Sequence, residues 1–222
     1  MEGWHFSNGK EVYGRHRKIT AGKMLKVKGP VRLCAHGLHA SARAIDALTY
    51  SSGSIVSRVR LSGEIVMDTD KAKAVATERT HLQVADATNL LHEFGCWCAE
   101  RALLAEREAG RESDLRSWAV IEAKRKWLRG EITDRDLRAA ASAASRAASE
   151  RAAAERSASE RSAAERSAAA AVASSEMLAE RSAAAASEML AARSAAAASA
   201  ERVNQNDELE RRLYALLEAA HP

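Results

Sequence analysis

The chain is poor in the residues that most domains use to build a core along their whole length. Its 222 residues include only two phenylalanines, three tyrosines, four tryptophans, two prolines and three cysteines. All the glycines, and all the aromatic residues except Tyr214, lie at or before Gly130. An ordinary core is therefore expected only in the front of the chain, and the remainder reads as an arm. Cys34, Cys96 and Cys98 are an odd number in no small secreted frame, which excludes a disulfide scaffold and predicts reduced thiols. There is no apolar run of about 18 residues, and the start, Met1-Glu2-Gly3-Trp4-His5-Phe6, turns polar at once. Neither a membrane span nor a signal peptide is expected, and a cytoplasmic location follows.

What charge there is sits unevenly. The net charge is +4, and the excess is carried by the front. Lys10, Arg15, Arg17, Lys18, Lys23, Lys26, Lys28 and Arg32 share their stretch with a single acid, Glu11. Such a cluster suits a phosphate backbone, so nucleic-acid binding is one expectation. The plainer reading is a solvated pair of strands with charged outer faces.

Turn signals and short alternating pieces organise the front as an α+β domain over residues 1–130. Lys23 to Val27 reads as a strand and Val31 to Leu33 as another. Gly37 to Ser41 follows as a tight turn, then Ala44, Ile45, Ala47 and Leu48 take helical spacing. Ile55 to Met67 is rich in β-branched residues and predicts one bent strand or a hairpin, with Gly63 marking a bulge. Asp68 to Lys73 reads as a charged loop, and helical spacing begins near Val84. A second helix is expected after a Ser113 cap. These helices are expected to cover a small, mostly antiparallel sheet. Thr133 to Asp136 is a capping box after the helix stop at Gly130.

Residues 131–203 form the expected helical arm, with alanine nearly half of the stretch from Ala139 to Val203. Glu-Arg pairs recur every five residues from Glu150, a step that winds them around a helix and leaves no leucine-zipper stripe. A second repeat, of twelve residues, places Met177 and Leu178, then Met189 and Leu190, among small residues that permit close helix–helix approach. A straight rod and a folded-back hairpin are both compatible with this. Asn204 to Asp207 is read as an interruption, with Asp207 capping a final helix over residues 204–222. Leu209, Leu213, Leu216 and Leu217 give that helix an apolar face, which needs burial against the front domain or in self-association. A homo-oligomer held by the arm is the preferred expectation.

Two groups of residues could carry chemistry. Cys34 and His36, with Cys96 and Cys98, are zinc-type ligands, although their spacings do not match the usual paired-cysteine motifs. Packed thiols beside a turn histidine are the plain alternative. His39 is a site candidate in the same turn, or else a structural turn residue. No P-loop, nucleophile elbow or zinc-protease motif occurs.

Gly37-Leu38-His39-Ala40-Ser41, a helix carrying Ala47 and Tyr50, and the strand Val56 to Gly63 together resemble part of the ADP-ribosyltransferase fold. In those enzymes a Gly-aromatic-x-Ala turn precedes a helix and a strand. The resemblance implies NAD as cofactor and a site built from His5, His39 and Tyr50. The residues after His5 depart from that family's usual motif, and no acidic residue is placed as its enzymes require. A wider resemblance rests on Trp4-His5-Phe6, Cys34 to Ser41, and Trp127 to Glu131 followed by alanine-rich repeats. These resemble an uncharacterised family common in bacteriophages and prophages. That resemblance implies a phage-encoded accessory protein in a bacterial host cell. Such a protein would bind a host component, protein or nucleic acid, without catalysis.

Overall fold

A computed structural model describes residues 1–10, 18–70, 72–110, 114–154 and 195–221. The chain divides into two compact units, Met1–Leu90 with Ala195–Pro222, and Leu91–Ser194. This grouping differs from a division at residues 130 and 203, because the closing segment packs with the front.

The first unit is built on five antiparallel strands: β1 (Glu2–Ser7), β2 (Met24–Lys26), β3 (Leu38–Ser41), β4 (Ile55–Met67) and β5 (Lys73–Asp86). β1 pairs with β4 from Glu2↔Arg60 to Ser7↔Ile55, and β4 pairs with β5 along almost its full length. The far edge of β5 takes β3 and then β2. Trp4↔Ser41 joins β3 to β1, so the pairings β1-β4-β5-β3 return to their start. That junction brings the backbones close: a Cβ on Gly3 would lie 2.6 Å from the Ser41 carbonyl oxygen. At Gly63, with φ of 74°, the register of β4 shifts against β5, so the glycine marks an irregularity inside one continuous strand.

β5 replaces what the sequence reads as a loop running into a helix. Its hydrophobic alternation is hidden because two of its buried positions are Arg79 and His81, and others are alanines. β3 likewise occupies residues read as a turn. The residues before it make only an Arg32↔His36 bridge in place of a strand over Val31 to Leu33.

Two helices pack on this sheet, α1 (Ala44–Thr49) on β1 and β3, and α5 (Ala195–Ala220) on β5 and α1. α5 runs unbroken through Asn204 to Asp207, where an interruption and a cap are expected from the sequence. Tertiary contact outweighs local preference there. Asn206 is buried on the packed stripe, and one turn earlier Arg202 pairs with Asp46 at 2.8 Å. Leu209, Leu213 and Leu217 are fully buried in the chain, and Leu216 is half-buried. Of the two ways to bury that face, the structure realises docking within the chain. Trp4 meets Tyr214 edge to face at 5.0 Å, and the Arg58 guanidinium lies 5.1 Å from the Trp4 ring centroid.

The second unit comprises α2 (Thr88–Glu108) from Leu91 onward, α3 (Leu115–Leu128) and α4 (Asp134–Ala154). Cys96, Ala99 and Leu103 pack with Val120, Ile121, Leu137, Ala141 and Ala144. Arg125 on α3 binds Glu93 at 2.9 Å and Glu100 at 2.8 Å on α2. The N-cap of α3 is Asp114, whose carboxylate accepts from the Arg116 N–H at 2.8 Å. The capping box before α4 has both its bonds, Thr133 N–H to Asp136 Oδ2 at 3.0 Å and Asp136 N–H to Thr133 Oγ1 at 3.3 Å. Most of the arm, including Met177, Leu178, Met189 and Leu190, lies outside the described residues. So do the choice between a rod and a hairpin, and the positions Arg15 and Arg17.

Candidate functional site

The histidines of the first unit come together because three strands do. His5 stands on β1, His39 on β3 and His81 on β5, with Arg79 two residues before His81. His5 lies in register with Ser57 on β4, and Val59 with His81, which brings the His5 and His81 ring centroids to 6.0 Å. Ser57 is fully buried, and its hydroxyl meets no hydrogen-bond partner among the described residues. Arg79, also buried, donates from a guanidinium nitrogen to the His39 carbonyl at 2.8 Å. The imidazole of His39 accepts from the Cys34 N–H at 3.2 Å through Nε2. Cys34 has φ of 59° and is the one non-glycine residue with positive φ among those described.

The electrostatics of the cluster run one way. Enclosure by protein pushes the His5 imidazole well below its ordinary pKa, and Arg79, His81 and His39 push it further in the same direction. His39 is lowered first by burial and then by Lys73 and Arg79, while a hydrogen bond to the Gly37 backbone works against them. Both rings are therefore neutral near pH 7, in a setting whose fixed charges are cations. Lys73, the first residue of β5, forms the rim. Its Nζ donates to Cys34 Sγ at 3.4 Å and lies 3.7 Å from the centroid of the Tyr50 ring, which is 61 % exposed. The neighbouring acid on β5, Glu78, is engaged by Lys26 at 2.6 Å and by the Ser62 hydroxyl at 2.9 Å.

Of the residues singled out in the sequence, His5, His39 and Tyr50 thus belong to one connected set. Arg79, His81, Lys73 and Ser57 were missed, the first three because β5 itself was not read as a strand. The signal available was a strand-length run, Val75 to Val84, with a valine at each end and two threonines within. The basic stretch is less unified. Lys10 and Lys18 meet through a backbone bridge, Lys26 is paired with Glu78, the Lys28 carbonyl faces His36 Nε2 at 2.9 Å, and Lys23 and Arg32 supply backbone to His81 and His36.

The zinc-type residues do not make a site. Among the described residues, no three of His, Cys, Asp or Glu converge to hold a metal ion. Cys34 is exposed, and Cys96 and Cys98 are buried. Burial first, and then Glu93, pushes the Cys96 thiol up to about 12.

The second unit hides a different set of titratable groups. Lys124 is 2 % exposed, and its Nζ lies 3.9 Å from the centroid of the Trp127 ring. Burial lowers it to about 8, against the pull of Cys96 and Asp134. His92 meets Trp127 edge to face at 5.6 Å and is lowered to about 4 by burial and then by Lys124. The Trp127 indole N–H donates to Asp134 at 2.6 Å.

No described helix is long and apolar enough to cross a membrane. No curated protein and no solved structure matches the chain. Residues 9–93, which take in β2 to β5 with His39, Lys73, Arg79 and His81 but not His5, match the family described as a domain of unknown function, DUF7666.

Proposed function

We propose that the first unit binds a nucleotide of the NAD type at the His5–His39 cluster and acts on it as an ADP-ribosyltransferase-like enzyme. The observation that carries this reading is the convergence of His5, His39 and Arg79 from three strands into one half-enclosed cluster. Neutral imidazoles there do not repel a cationic nicotinamide ring, and a neutral His5 ring carries one hydrogen-bond donor and one acceptor. The cationic rim suits the diphosphate. In the reaction the bond between nicotinamide and the ribose C1′ breaks and nicotinamide leaves neutral. C1′ then bonds to an acceptor oxygen or nitrogen, which gives up a proton.

The test is calorimetric titration of the full chain with NAD⁺, with chromatography for released nicotinamide. Binding and release that His39→Ala and His5→Ala both abolish, with the circular dichroism of the fold intact, support the reading. Neither binding at millimolar NAD⁺ nor release sinks it.

A second reading keeps the binding and drops the turnover. Every charged neighbour that shifts His5 and His39 is a cation or another histidine, so among the described residues no carboxylate acts on the pair to stabilise an oxocarbenium-like transition state. The protein is then a binding module, as a phage accessory protein directed at a host component would be. NAD⁺ affinity without nicotinamide release selects it.

A further inference from the structure

Lys73 differs from Lys26, Arg58 and Arg60 in what its side chain touches. Lys26 is matched by Glu78, and Arg58 and Arg60 by Glu2. The Asp68 carboxylate takes the Lys73 backbone N–H at 3.1 Å, but the Lys73 side chain forms no ion pair with a carboxylate among the described residues. Its ammonium rests on the Cys34 sulfur at 3.4 Å and on the face of Tyr50. A thiol is a weak acceptor and a ring face takes no hydrogen bond of ordinary strength, so the donors of Lys73 are poorly used. Tyr50 follows α1 directly, and its ring is largely open to solvent. Lys73 is in register with Ser41, two positions along β3 from His39 and on the same face of the sheet, so a cation and an exposed aromatic face stand beside the histidine cluster. Ser57 and His5 stand at its enclosed end.

We infer that Lys73 and Tyr50 form the subsite that selects phosphate-bearing ligands, Lys73 holding a phosphate oxygen and Tyr50 stacking on a ring of the same ligand. This inference rests on the nucleotide reading above and adds to it which part of the ligand lies at the rim. A phosphate exchanges the thiol contact of Lys73 for a charge-assisted hydrogen bond. The Cys34 contact holds the ammonium near that position in the free protein, which lowers the ordering cost of binding.

The experiment titrates the full chain with NAD⁺, nicotinamide mononucleotide and nicotinamide riboside, the last lacking phosphate. Lys73→Met is expected to weaken the first two about tenfold and to leave the riboside unchanged, about one good hydrogen bond's worth. Lys73→Arg is expected to keep most of the affinity. Tyr50→Ala is expected to weaken all three ligands, and Tyr50→Phe to hold them. An equal loss on all three ligands in Lys73→Met, or no loss, overturns the subsite while leaving the nucleotide reading standing. Wild-type protein that binds none of the three overturns both.

Discussion

The carboxamide oxygen of Asn206 accepts a hydrogen bond from the Ile45 N–H, 3.2 Å away and 161 residues earlier in the chain. One turn later on α5, Glu210 takes the Ala44 N–H at 2.9 Å. α1 has Arg43 as its N-cap, with no side-chain cap of its own, and α5 supplies acceptors for two of the free N–H groups of its first turn. The final helix is thus a structural part of the first unit. It caps α1 and buries Leu209, Leu213 and Leu217 in the same stroke.

Removing that cap has a direct cost. Asn206→Ala is expected to destabilise the first unit by about 1–2 kcal/mol, since it leaves the Ile45 N–H buried without its acceptor. Chemical denaturation followed at Trp4, the tryptophan of the first unit, measures it. A chain ended before Ala195 is expected to lose the dispersed amide spectrum of the first unit altogether. A well-folded front in that truncation would show that α5 is dispensable.

The buried amine in the second unit works against stability at neutral pH. Burial lowers Lys124 from its ordinary 10.5 to about 8, so the folded state resists its protonation. For an amine lowered in this way, stability is highest above the unfolded value, falls as pH drops from 10.5 to 8, and stays reduced below. The difference corresponds to about 3 kcal/mol, reduced by whatever the Trp127 ring returns. Lys124→Met is expected to raise the melting temperature of the second unit at pH 7 and to abolish the gain seen on going from pH 8 to 10. A lower melting temperature at pH 7 would count against it.

Acid is expected to act on the two units in different windows. His92 is lowered from 6.5 to about 4, so its contribution is intact above 6.5 and is lost as pH falls to 4. In the first unit Glu208 is lowered from 4.5 to about 2 by Arg211 and, against burial, by Arg212. Burial opposes ionisation of Asp46 too, and Arg43 and Arg202 overcome it. Both carboxylates stabilise above their unfolded values and lose that effect as pH falls through the folded ones. Indole resonances of Trp97, Trp118 and Trp127 are therefore expected to broaden between pH 6 and 4, before that of Trp4. His92→Phe should remove the early change, and simultaneous broadening of all four would contradict it.

The junction of β1 and β3 leaves no room for a side chain. Gly3→Ala puts a methyl 2.6 Å from the Ser41 oxygen, so one backbone must shift, at about 1–3 kcal/mol. Because His5 and His39 sit on those strands, the same substitution is expected to weaken ligand binding at the cluster more than His36→Ala does.

Some of this was legible in the residues alone, wherever a local chemical rule decides the outcome. The Thr133–Asp136 box, the stop at Gly130, the irregularity at Gly63 in a long β-branched strand, and the apolar face of Leu209, Leu213 and Leu217 all follow from side chains within a few positions of one another. The α+β class follows from them. What lay beyond reach depended on partners far along the chain. β5 is a strand because β2, β3 and β4 satisfy its backbone, although Arg79 and His81 erase the pattern by which strands are recognised. α5 passes straight through Asn204 to Asp207 because the first turn of α1 needs Asn206 more than the helix needs a cap. The resemblance to ADP-ribosyltransferases set His5 and His39 in one candidate site without Arg79 or Lys73. Only the pairing of three strands decided that they share a cluster with Arg79 and Lys73, because sheet register is set by tertiary closure and not by spacing in sequence.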